Sequence, residues 1–124
     1  MTDCLFCSIE KSRIIASNEL AFAIRDGFPV TEGHTLVIPK RHVEDYFGLT
    51  QPELLACDDL LRSLKAQILE ADSGVAGFNL GMNAGEAAGQ TIFHCHIHLI
   101  PRRIGDVEQP RGGIRHLIPG KGAY

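Results

Sequence analysis

Residues His94 to Ile100 read His-Cys-His-Ile-His-Leu-Ile. An alternation of period two is the mark of an extended strand, whose successive side chains point to opposite faces. Read as part of a strand over residues 92–100, the run projects His94, His96 and His98 from one face, each about 7 Å from the next. Cys95, Ile97 and Leu99 then fall on the other face. Histidine is costly to bury without a partner, so a row of them calls for a chemical role. The imidazole offers two. A neutral ring is a common zinc ligand, and its free lone pair can attack phosphorus or carbon to form a covalent intermediate. The residues alone leave both open.

The rest of the chain says what kind of molecule carries this strand. At 124 residues and 13.6 kDa it is one domain spanning 1–124. With 44% hydrophobic and 22% charged residues and a mean hydropathy of +0.02, the composition is that of a soluble globular protein. A net charge of -3 argues against a protein that grips nucleic acid by bulk charge. No apolar run approaches the ~18 residues of a membrane span, and the N-terminal stretch has no apolar core of a signal peptide. A cytoplasmic location is expected, with no membrane or nucleic-acid partner. The four cysteines, Cys4, Cys7, Cys57 and Cys95, are too few and too unevenly spaced for a disulfide scaffold. In a reducing compartment the Cys4-x-x-Cys7 pair points to metal or redox chemistry.

Hairpins and one helix make up the predicted elements. A short helix or turn carries Cys4 to Cys7. Leu20–Arg25 and His34–Pro39 read as strands, each closed by turn residues. Thr50-Gln51-Pro52-Glu53 is a capping box with proline in the first turn. It starts a helix whose apolar face carries Leu54, Cys57, Leu61, Leu64 and Ile68 and which ends at Ser73-Gly74. Gly77–Asn83 reads as a strand, 84–90 as a glycine-rich loop, and 101–124 as an extended, irregular tail without a core of its own. The fold class is α+β, an antiparallel sheet covered on one side. Cys57 and Cys95 read as small core residues.

These motifs together resemble the histidine triad (HIT) family. His94 to Ile100 matches its His-φ-His-φ-His-φ-φ signature, with φ apolar, at every position. Gly89-Gln90-Thr91 resembles the step before the triad, and Gly33 to His42 resembles the family's second strand. The resemblance implies a sheet of about five antiparallel strands under one long helix, with a short N-terminal helix, usually as a homodimer. It also implies nucleotidyl transfer to a histidine and then to water or another acceptor. His96 would be the nucleophile on the α-phosphorus of an adenosine mono- or polyphosphate. An imidazole with its ordinary pKa of about 6.5 is partly available for this at neutral pH. His98 would donate to the phosphate or the leaving group, and His34 would add a further donor. Asn83, Gly89, Gln90 and Thr91 would hold the phosphate, Asp26 the ribose hydroxyls, and Leu5, Phe6 and Ile9 the base.

The chain is also similar to bacterial zinc-containing branches of the family. That similarity implies Cys4, Cys7, His42 and His94 as ligands of a structural zinc ion, a closed Cys2His2 set. It separates the two roles in the strand, with His94 for the metal and His96 for the attack. Pro101 to Asp106 resembles the dinucleoside polyphosphate hydrolase branch, where Arg102, Arg103, Arg111 and Arg115 would meet extra phosphates bidentately. Diadenosine polyphosphate hydrolysis is therefore the leading expectation, with adenosine 5'-phosphoramidase as the alternative. Three other classes compete: a nucleotide-binding regulator with little turnover, a metallohydrolase with its metal on all three triad histidines, and a nucleic-acid module. The acidic balance and the lack of basic-aromatic interleaving disfavour the last.

Overall fold

The computed structural model describes residues 3–124; the first two positions of the expected 1–124 domain lie outside the described residues. Five strands, β1 (Ile14–Ser17), β2 (Ala21–Arg25), β3 (Thr35–Pro39), β4 (Val75–Gly81) and β5 (Ile97–Arg103), surround one long helix in the sequence, α1 (Gln51–Ala71). They form a single sheet in the order β1-β2-β3-β5-β4, antiparallel at every step. The α+β class, the five strands and the single long helix are as expected.

Helix α1 begins where its sequence says it should. The Thr50 hydroxyl accepts from the Glu53 amide at 3.3 Å, and the Glu53 carboxylate accepts from the Thr50 amide at 2.9 Å, a reciprocal capping box. At the other end, the Asp72 side chain accepts from the Gly74 amide at 2.9 Å and turns the chain into β4. Cys57, Leu60, Leu64 and Ile68 pack against Ala21, Ala23, Val37, Ile97 and Leu99 of the sheet. The inner face is rotated slightly from the one expected: Leu60 takes the buried position, and Leu54 and Leu61 flank it half-buried.

Glu53 does more than cap. Its buried carboxylate receives the Arg41 guanidinium through a two-pronged pair, Nε to Oε2 at 2.8 Å and Nη2 to Oε1 at 2.8 Å. Arg41, chiefly through that hydrogen bonding, holds the Glu53 pKa down to about 2. The carboxylate therefore stabilises the fold above its unfolded pKa of about 4.5, and the contribution is lost as the pH falls toward 2. Glu53→Gln should cost about 2 kcal/mol at pH 7, a value moderated by the exposure of Arg41. Urea titrations at pH 7 and pH 3 check this, since the gap between variant and wild type must narrow at the lower pH.

Four expectations need correction. Strand β1 is not read from the sequence: it is a four-residue edge strand whose pairing with β2 is interrupted by a bulge between Ile14 and Ala16, so it leaves little periodic signal. The sheet is covered on both faces, because Phe6 from the N-terminal segment packs on Phe22, Ile24, Leu36 and Ile38 on the side away from α1. The histidine strand starts later than residue 92. β5 begins at Ile97, because its partner β3 ends at Pro39 and the 92–96 segment bends away, its Cys95 amide donating to the Val43 carbonyl at 2.7 Å. Finally, the tail is neither extended nor irregular throughout. Pro101 to Arg103 complete β5, and Gly113–Leu117 form a 3-10 turn. Arg111 and Arg115 lie 4.8 and 5.0 Å from the centre of the Tyr124 ring. Gly122 closes against the His116 ring, where any Cβ would collide with it.

Candidate functional site

The three triad rings do not stand in a row. Each is turned by a different hydrogen bond, and each bond sets a different chemistry. The Nε2 of His94 is 2.8 Å from the Pro39 carbonyl oxygen, to which it donates. Its Nδ1 lone pair is then free and lies 3.4 Å from the Cys4 Sγ and 3.5 Å from the Cys7 Sγ. The Nδ1 of His42 is 3.2 Å from the Cys7 Sγ. All four donor atoms lie within 4.8 Å of one another. A tetrahedron with Zn–S near 2.3 Å and Zn–N near 2.0–2.1 Å has S···N edges of about 3.5 Å, so the spacing fits that ion. The carbonyl behind His94 is the outer partner that fixes a ligating ring's tautomer and orientation. Burial lowers the His94 pKa, outweighing the pull of the Pro39 carbonyl, and so favours the neutral ring that a metal needs.

His96 is set up differently. Its Nδ1 donates to the His94 carbonyl oxygen at 2.8 Å. That bond fixes the tautomer and leaves Nε2 with an unshared lone pair. The Phe6 ring meets the imidazole edge-on, with centroids 4.9 Å apart, and limits its rotation.

His98 ends a chain of donors that starts in the backbone. The Val30 amide donates to His34 Nδ1 at 3.1 Å, so the proton of His34 sits on Nε2. That Nε2–H donates to His98 Nδ1 at 2.8 Å, which leaves His98 with an Nε2–H to offer the cleft. Asp26 lies 3.4 Å from His34 Nε2. Asp26, His34 and His98 are close enough to hold a cation among them, but the Val30 amide makes His34 a proton donor toward His98 rather than a lone pair. With His94 turned to the cysteines, His96 to a carbonyl and His98 to His34, the three triad rings do not converge on one ion. The metallohydrolase reading loses its geometry.

Burial, more than the neighbouring His96 and His34, pushes the His98 pKa down to about 4. An unfolded histidine takes up its proton near 6.5, so between about 6.5 and 4 the unfolded chain binds more protons. The share of stability owed to neutral His98 is thus lost as the pH falls through that window. In a nitrogen-15 NMR titration the His98 ring should keep its neutral-tautomer shifts at pH 5.5 and titrate only near pH 4. Titration near 6.5 would refute the burial of His98 as a neutral ring.

Around these rings lies a cleft of about 290 Å3. Leu5, Phe6, Asp26, Asn83, Gly89, Thr91, His96 and His98, all nominated from the sequence, line it. Ile24, Leu36 and Ile92 form its apolar wall and Arg13 and Phe28 its rim, none of them nominated. Ile24 and Leu36 were open to discovery, since both share a sheet face with His98 by strand alternation. Gly89 turns the loop above the triad at φ +96°, a conformation suited to glycine.

Three nominated residues sit elsewhere. Ile9 packs against the apolar cluster of Phe6, Phe22 and Ile24. Gln90 is buried, with its oxygen accepting from the Gly85 amide at 2.8 Å and its nitrogen donating to the Glu44 and Ile92 carbonyls. It braces the loop and has no face toward a phosphate. His34 is 3% exposed, and its proton is directed at His98 rather than at the cleft. Cys57 and Cys95 are buried core residues, and burial pushes their thiols up to about 11 and about 12.

The HIT domain profile matches residues 9–105. The chain belongs to the HIT family. A 16.1 kDa HIT-like protein of Mycoplasma pneumoniae is 41% identical over 104 residues, which is 81% of this chain and 72% of the relative. An adenylylsulfatase of Arabidopsis thaliana is 36% identical, over 84% of this chain and 54% of its own length. The crystal structure of a zinc-bound HIT protein from Mycobacterium smegmatis is similar at a TM-score of 0.76 and 35% identity, covering 84% of this chain and 78% of that one. The HIT match begins after Cys7, so the two cysteines lie outside it while His42 and His94 lie inside.

Proposed function

We propose that this HIT protein is a nucleotidyl hydrolase or transferase that acts at the α-phosphate of adenine nucleotides through a nucleotidyl-histidine intermediate. The observation that carries the reading is the His96 ring, with Nδ1 tied to a backbone carbonyl and Nε2 free on a cleft. As Nε2 forms its bond to phosphorus, the bond from phosphorus to the leaving group breaks and the ring becomes cationic. The His94 carbonyl dipole, already on Nδ1–H, stabilises that charge. The His98 Nε2–H and the Asn83 and Thr91 side chains supply fixed donors for the phosphoryl oxygens. Water then attacks the same phosphorus, releasing the nucleoside monophosphate and returning His96 to its neutral form. Asp26 would accept from the ribose hydroxyls, and Leu5 and Phe6 would flank the base. Cys4, Cys7, His42 and His94 would hold a structural zinc ion, which ties the N-terminal segment to the sheet.

Diadenosine polyphosphates are the first substrates to test, but the arginines favour a second reading. Arg102 is engaged by Asp106 and Asn79, Arg103 by Asp72, and Arg111 and Arg115 lie on Tyr124. None is held ready for an additional phosphate. Beyond His98 lies a second cleft of about 310 Å3, walled by Leu80, Met82, Ile100, Ile114 and Leu117. An apolar wall there suits the hydrocarbon substituent of an amine leaving group, as in an alkyl or aryl adenosine phosphoramidate. Comparing kcat/KM for diadenosine polyphosphates, adenosine phosphoramidates and adenylyl sulfate decides the order. A preference above tenfold for phosphoramidates establishes the second reading, and no turnover of any of them leaves a nucleotide-binding regulator.

Strand β4 is an open edge of the sheet, and a groove of about 490 Å3 runs between it and α1 along Leu61, Lys65, Val75 and Phe78. An open, partly apolar edge supports pairing with a second copy, and light scattering on the purified protein tests the homodimer. No described helix is long and apolar enough to cross a membrane.

A further inference from the structure

The sequence Cys4-Leu5-Phe6-Cys7 belongs to two sites at once. Its outer residues contribute sulfurs to the four-ligand cluster. Its inner residues line the cleft in front of His96. Phe6 stands between the sites, its ring centroid 6.0 Å from that of His94 and 4.9 Å from that of His96. The backbone bonds described for this stretch are local, such as the Ser8 amide to the Leu5 carbonyl at 3.2 Å. Outside the sheet ladder, the segment is held by the packing of Phe6 on the sheet and by the contacts of its cysteines with His42 and His94. Leu5 has less to hold it, since its side chain is 54% exposed. It sits in the turn between the two cysteines, which the Ser8 amide closes on the Leu5 carbonyl.

We propose that the Cys4–Cys7 knuckle couples metal binding to nucleotide binding, each strengthening the other. The inference rests on the nucleotide and zinc readings given above. A metal on the cysteines fixes Leu5 and Phe6 as one wall of the cleft. A base seated on that wall holds the knuckle closed over the metal. Cys4 and Cys7 are then positioning residues for the nucleotide, acting through the two side chains between them. A second link runs in parallel, since the residue whose ring faces the cysteines is the one whose carbonyl orients His96. Coupling of this kind is reciprocal: the factor by which metal tightens the nucleotide is the factor by which nucleotide tightens the metal.

The test is the transfer of zinc from the loaded protein to a chromogenic chelator, with and without saturating AMP. AMP should slow transfer by about fivefold or more. Leu5→Ala, loaded with zinc and still binding AMP in calorimetry, should lose most of that protection, whereas general stabilisation of the fold by a ligand would persist in it. Where the metal-free protein stays folded by circular dichroism, its AMP Kd should rise by the factor by which AMP lowers the equilibrium zinc Kd in competition titrations. Equal transfer rates with and without AMP, in a protein that calorimetry shows to bind AMP, overturn the coupling. So does undiminished protection in Leu5→Ala. Absence of AMP binding to the loaded protein instead overturns the nucleotide reading, and failure to take up zinc overturns the metal reading. Either result takes the coupling with it.

Discussion

Replacing His96 by alanine should lower kcat by about 10^4-fold or more while AMP still binds with a similar Kd. The loss is large because the nucleophile forms a bond to phosphorus, and its removal takes away the covalent route as a whole. Binding survives because the cleft walls, Leu5, Phe6, Ile24 and Leu36, and the polar groups at Asp26 and Asn83 are contributed by other elements. His98→Ala should give a smaller fall, about 10^2–10^3-fold, as expected for one donor to the charge on phosphorus. Single-turnover assays with calorimetry on the same samples separate the two effects. Full turnover in His96→Ala would remove the nucleophile from that residue and leave the three-ring arrangement without its proposed chemistry.

The paired change Cys4→Ser/Cys7→Ser should abolish zinc retention and lower the melting temperature. A site filled at about a thousand times its Kd contributes ~4 kcal/mol to stability, and this pair of changes removes two of the four ligands. The loss should equal what a strong chelator takes from the wild type, and the chelator should have little further effect on the variant. Metal analysis and thermal melts check both points. Retention of one zinc per chain in the double variant would place the ion elsewhere.

Much of this was legible in the sequence, in proportion to how local each signal is. The capping box at Thr50 and Glu53 and the turn chemistry around β2 and β3 act over a few residues, and the elements formed near where they were read. The alternation at His94 to Ile100 puts Cys95, Ile97 and Leu99 on the face opposite the histidines, and all three are buried. It did not give the orientation of the rings, because ring rotation is set by distant partners: the Pro39 carbonyl for His94 and His34 for His98. Gln90 and His34 show the same limit. Their residue types suit phosphate binding, but the Glu44 carbonyl and His98 claim their donors from across the fold. β1 was missed for a different reason, since a four-residue bulged edge strand has too short a pattern to register. The arginines of the tail are expected from the sequence to meet extra phosphates, and nothing local marks the pairing of Arg103 with Asp72 or of Arg111 and Arg115 with Tyr124.

The strand order has a consequence for how the molecule assembles. β1 is joined to β2 by 3 residues and β2 to β3 by 9, and β4 is joined to β5 by 15 after the helix, so each group can form from near neighbours in the chain. The seam between them is the pairing of β3 with β5, Thr35 with Leu99 and Val37 with Ile97, across about half the chain. Long-range pairings of this kind are the slow step of folding. Both sites straddle the seam. Cys4, Cys7 and His42 come from one side and His94 from the other, and the proton chain crosses it from His34 to His98. Neither half alone can complete the four-ligand cluster or orient His98, so both arrangements depend on the least local pairing of the sheet, and a zinc ion bridging the seam would act as its latch.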